Sequence, residues 1–66
     1  MDNMLAKFIQ QQRLKHGLTQ EYMASELGIS RPTYIQIERG ERELTITEAK
    51  VLAAVFGIPF EDFLQG

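Results

Sequence analysis

Cysteine is absent from the 66 residues, which rules out disulfides and thiolate metal sites, so any core must hold by packing alone. That composition suits a reducing cytoplasm. Histidine occurs once, as His16 in the last turn of an expected helix with no second ligand nearby, where it complements the helix dipole. No grouped carboxylates or nucleophile offer an alternative, so neither an enzyme nor a bound cofactor or metal is expected. No apolar run approaches the ~20 residues of a membrane span, and the N-terminus lacks the basic and apolar blocks of a signal peptide. No membrane partner is expected. A surplus of positive charge is missing too, with a net charge of −2 and a pI near 5.2.

The composition that remains is that of a single small globular domain, expected to span residues 1–66. A chain this short buries only about 60% of the surface it exposes when unfolded, so nearly every apolar residue is needed inside. The charge is unevenly spread. Residues 1–42 carry six cations against five acids, a net +1, and the remainder carries one against four, a net −3. The first two-thirds can therefore approach a phosphate backbone, although the chain average gives no hint of it.

Five helical segments account for the chain, with no strand, repeat or low-complexity stretch. Met4, Leu5, Phe8 and Ile9 recur at helical spacing, predicting a first helix over about 3–16 that Gly17 stops. Thr19 caps a second helix with Met23, Ala24 and Leu27 inward, and Gly28 ends it in a sharp turn that Ile29 plugs. Ser30 caps a third helix, with Pro32 in its first turn. Residues 39–44, RGEREL, form a charged surface loop. Thr45 and Glu48 then match a capping box that opens a fourth helix with Ala49, Leu52, Ala53 and Phe56 as its inner stripe. Gly57 closes it, and Ile58-Pro59 opens a short last helix with Phe60, Phe63 and Leu64 inward.

The chain is organised around TQEYMASELGISRPTYIQIERG, residues 19–40, in which two short helices share a tight Gly-containing turn. At 100° per residue, Tyr34 and Ile37 share the inner side of the third helix, while Pro32, Ile35, Gln36 and Arg39 face out and Arg31 and Thr33 flank them. Glu38 falls beside the inner face, where a bare carboxylate is costly, and Arg13 is the expected partner. Two helices around such a turn can insert one helix into the major groove of DNA.

The run GLTQEYMASELGISRPTYIQIERGERELT, followed by an amphipathic helix and GIPFEDFL, resembles the Cro/phage-repressor class of helix-turn-helix domains, also called XRE-like. The resemblance covers about Phe8 to Leu64. It implies an all-α, five-helix, lambda-repressor-like bundle whose second and third helices form the helix-turn-helix. It also implies a cytoplasmic regulator, nucleoid-associated when bound, that works as a homodimer on a two-fold symmetric site in double-stranded DNA. Carried over position by position, Arg31, Pro32, Thr33 and Gln36 are expected at base edges, with Arg31 suited to guanine and Gln36 to adenine. Thr19, Gln20, Arg39, Gly40 and Arg42 are expected at the DNA backbone, Gln20 also bracing the recognition helix. Arg13 and Glu38 match a pair that forms an internal ion pair in some members.

The sequence departs from the family pattern at a few places. Gln12 stands where an apolar residue is common, and Tyr22 replaces the acid that would complete a capping box with Thr19. Ile35 stands on the outward face, to meet a thymine methyl, a protein partner or solvent. Val51 and Val55 either line a homodimer contact or pack under the final helix. Together with the acidic C-terminal half, these three residues motivate a second expectation, an antitoxin-like or anti-repressor module whose main ligand is a protein.

Overall fold

The computed structural model describes residues 3–65, and its first four helices begin where the sequence supplies an oxygen to receive a free amide. Asn3 Oδ1 accepts from the Ala6 amide at 2.9 Å and opens α1, Met4–Lys15. Thr19 Oγ1 accepts from Tyr22 at 3.0 Å and opens α2, Gln20–Leu27. Ser30 Oγ accepts from Thr33 at 3.3 Å and opens α3, Arg31–Glu38. Thr45 and Glu48 form the full reciprocal box that opens α4, Ile46–Phe56. The short α5, Phe60–Leu64, has no side-chain cap and instead carries Glu61 and Asp62 in its first turn, where the helix dipole favours acids.

The stops are equally local. Gly28 adopts φ +69°, which lets its amide reach Ser25 and the Ile29 amide reach Ala24 at 3.0 Å, closing α2 with two bonds. Gly40 is held more tightly. Its φ is +73°, and a Cβ built there would lie 2.8 Å from Cβ of Asn3, so both backbone conformation and space require glycine.

All five helices, with no strand among the described residues, gather about one core. Ile9, Met23, Tyr34, Ile37, Leu52 and Phe63 are fully enclosed there. α2 packs chiefly on α3, α4 on α5, and α1 lies against both α3 and α4. Ala24 and Ala53 are small enough to let these short helices cross closely. Phe63 joins the two halves, with ring centroids 6.0 Å from Phe8 and 6.5 Å from Phe56.

Two apolar expectations need correction. Met4 is 77% exposed, because the inner stripe of α1 runs through Ala6, Ile9 and Arg13 and leaves Met4 on the other side. Leu64 is 50% exposed rather than inward, since α5 is barely more than one turn and turns only Phe63 fully into the core. Phe60 does face inward, partly buried against the core, with the Lys50 ammonium 5.7 Å from its ring centroid. With Leu5, Leu44 and Ile46, Leu64 rims a groove of about 260 Å³ between the start of α1 and the start of α4. His16 follows the last residue of α1, its Nδ1–H donating to the Gln12 carbonyl at 2.8 Å and its ring resting 5.7 Å from that of Phe56.

Candidate nucleic-acid interface

The face that α3 presents is set by what its other face must bury. Tyr34, Ile37 and Glu38 point into the domain, which leaves Arg31, Pro32, Gln36 and Arg39 exposed and Thr33 half-buried. Pro32 suits the first turn because its missing amide has no helical partner there. The Thr33 hydroxyl lies 2.9 Å from Ser30 Oγ, so it is tied to the cap of its own helix. The side-chain amide of Gln36 makes no hydrogen bond to the described residues and is free to meet a ligand.

Behind this face lies a buried carboxylate. The Glu38 side chain is only 3% exposed, and Arg13 Nε donates to its Oε2 at 2.6 Å while Arg13 Nη2 reaches Oε1 at 3.3 Å. Tyr34, one turn earlier on α3, donates its hydroxyl to Oε2, and Gln20 Nε2 donates to Oε1 at 3.3 Å. Arg13 Nη1 also binds the Leu18 carbonyl at 2.9 Å, which ties the end of α1 to the start of α2. No buried side-chain polar atom among the described residues lacks a partner. The hydrogen bond to Glu38 holds the Arg13 pKa above its ordinary value despite desolvation. Burial, reinforced by the Glu38 carboxylate, pushes the Tyr34 phenol far above its usual range.

Gln20 carries this network to the surface. Its Nε2 points at Glu38, so its Oε1 faces the other way and accepts from Arg31 Nη2 at 3.2 Å. The buried carboxylate accepts only, which fixes the amide orientation and aims the acceptor at Arg31. Glu21 lies 3.9 Å from Arg31 Nε, but both side chains are exposed and that contact is weak.

The other expected residues are placed as follows. Thr19 is occupied as the cap of α2, next to Gln20. Arg39 is exposed, with no ion pair among the described residues. The Gly40 amide donates to the Ile37 carbonyl at 3.1 Å, so it is spent on closing α3. Arg42 meets Glu48 in a two-pronged ion pair, both N to O distances being 3.0 Å. Ile35 and Val51 are half-buried, and Val55, also half-buried, packs against the core. Sequence reasoning missed Tyr34 and Gln20 as donors to Glu38 and missed the pairing of Arg42. The Tyr34 to Glu38 spacing of four residues on one helix was a signal for the first of these.

Comparison of the sequence with known proteins finds relatives. Residues 9–63 match the sequence model of the family described as Helix-turn-helix. An uncharacterized HTH-type transcriptional regulator of Methanocaldococcus jannaschii is 44% identical over 50 residues, covering 76% of this chain and 76% of that protein. A second, from Archaeoglobus fulgidus, is 35% identical over 54 residues, covering 82% and 77%. A third, from Bacillus subtilis, is 31% identical over 62 residues, covering 94% and 82%. No solved structure gives a significant match.

Proposed function

This chain belongs to the helix-turn-helix family of XRE type, and from that premise we propose that it is a dimeric transcriptional repressor reading a two-fold symmetric operator in double-stranded DNA. α3 enters the major groove, which is about 12 Å wide and admits a helix. Arg31 pairs with guanine, Gln36 with adenine, and Pro32 and Thr33 supply short contacts beside them. The start of α2 at Thr19 and Gln20, together with Arg39 and the turn at Gly40, approaches the phosphates on either side and sets the register. Two copies present their α3 helices to half-sites about one helical turn apart, and occupancy excludes polymerase.

One observation carries this reading. Gln20 is fixed by the buried Glu38 and in turn holds Arg31 at 3.2 Å, while Gln36 stands exposed with its donors and acceptor unspent. A solvated helix face has no need of a cation braced from inside the domain. A base-reading face does, because restraint applied before binding lowers the entropy lost on contact.

A domain with a net charge of −2 gains little from phosphates alone, so pairing of two copies supplies much of the affinity. Ile35, Val51 and Val55 are the residues proposed for that contact or for a protein partner. The reading is tested by selecting bound duplexes from a random pool at about 0.15 M salt, where non-specific phosphate binding is weak. Enrichment of a two-fold symmetric site is the expected result. The absence of enrichment at any protein concentration would overturn it in favour of a module whose main ligand is a protein.

A further inference from the structure

We propose that Glu48 is a positioning residue for the loop between α3 and α4, holding Arg42 in the fold and withholding that cation from the phosphate backbone. The proposal rests on the DNA-binding reading above and refines it, because it removes one of the residues expected at the DNA.

The geometry of the pair is that of a guanidinium fork. Arg42 Nη1 lies 3.0 Å from Glu48 Oε1 and Arg42 Nη2 lies 3.0 Å from Oε2, so both terminal nitrogens face the carboxylate. The carboxylate is itself fixed. Glu48 Oε1 accepts the Thr45 amide at 3.0 Å, and the Glu48 amide donates to Thr45 Oγ1 at 3.1 Å. Its side chain is 11% exposed, against 30% for Arg42, so the acceptor is the more enclosed partner and the attraction is less screened than between two surface groups.

Two consequences follow for DNA. The charge of Arg42 is cancelled at contact distance, so a phosphate nearby meets a nearly neutral pair and releases no counterion to it. Reaching a phosphate would also require Arg42 to leave a carboxylate that sits in the first turn of α4, stranding it half-satisfied. The first two amides after Arg39 are spoken for, with Gly40 donating to the Ile37 carbonyl and Glu41 to the Gln36 carbonyl. Phosphate neutralisation at the end of α3 therefore falls to Arg39, the exposed cation of that segment with no ion pair among the described residues. What Arg42 supplies is shape. It ties the loop to the start of α4, and so fixes where Arg39 and Gly40 stand when α3 docks.

The test is the salt dependence of duplex binding by the full chain, measured for the wild type, Arg42→Gln and Glu48→Gln on both a selected and a random-sequence duplex. Arg42→Gln should leave the slope of log K against log salt unchanged. Glu48→Gln keeps an acceptor for the Thr45 amide but frees Arg42, and should steepen the slope by about 0.9 per protomer. A slope shallower by about 0.9 per protomer in Arg42→Gln, or an unchanged slope in Glu48→Gln, overturns the proposal while leaving the DNA-binding reading intact. A wild type that binds neither duplex overturns both. Should Arg42→Gln fail to fold, the comparison of Glu48→Gln with wild type decides alone.

Discussion

Tyr34 donates its hydroxyl to Glu38 one turn further along the same helix, so the largest buried side chain of α3 is polar at its tip and spends that polarity on a carboxylate. The contact makes α3 its own anchor. Arg13 supplies the charge from α1, Gln20 the link to α2, and Tyr34 a donor that moves with Glu38 as a rigid unit.

Removing one donor leaves the others to cope. Tyr34→Phe should lower the free energy of unfolding by about 1–3 kcal/mol, the cost of an under-satisfied buried acceptor. Arg13→Ala should cost more, about 3–5 kcal/mol, because it leaves a buried charge unpaired. Urea denaturation at neutral pH measures both. Equal effects from the two variants would mean that charge pairing is not what Glu38 requires.

The base contact proposed for Gln36 has a different signature. Gln36→Ala should lose preference at one base pair of each half-site, by about 1–3 kcal/mol of discrimination, with its stability unchanged. Competition between the selected duplex and singly substituted duplexes reads this directly. A uniform loss across all positions would place Gln36 on the backbone instead.

The turns offer a steric comparison. Gly28 and Gly40 share a left-handed φ, but a Cβ at Gly28 meets nothing within 4 Å, whereas one at Gly40 lies 2.8 Å from Asn3 Cβ. Gly28→Ala should therefore cost about 1 kcal/mol, the conformational term alone, and Gly40→Ala measurably more. Thermal unfolding of the pair, run side by side, checks the order.

Acid should expose the fork at α4. The hydrogen bonds from Arg42 hold the Glu48 carboxyl below its ordinary value despite burial, assisted by the Thr45 amide. A carboxyl depressed in the folded state adds stability above its unfolded pKa and loses it as pH falls through the folded value. Glu48→Gln should accordingly flatten the fall in stability below about pH 4.5, and Arg42→Gln should flatten it less, since the Thr45 bond remains. Denaturation curves from pH 7 to pH 3 give the comparison.

Much of this molecule was legible in 66 letters because the interactions concerned are short-ranged. Thr19, Ser30 and Thr45 each cap an amide three residues away, and Gly28 and Gly57 stop helices by their own φ. The 3.6-residue period separates Tyr34 and Ile37 from Gln36 without any knowledge of neighbours. Hence the five helices and the displayed face of α3 follow from the sequence by itself, as does the need of Glu38 for a partner. What the tertiary structure decided is who meets whom where helices cross. Gln20 reaches Glu38 across 18 positions and Arg31 across 11, and Arg42 chooses Glu48 over solvent. Met4 and Leu64 fall outside the core although their apolar character argues for burial, because the stripe through Ala6, Ile9 and Arg13 turns Met4 away and the short α5 leaves Leu64 at the rim of a groove. Periodicity fixes the direction of a side chain on its own helix, but only the crossing of helices fixes what stands opposite.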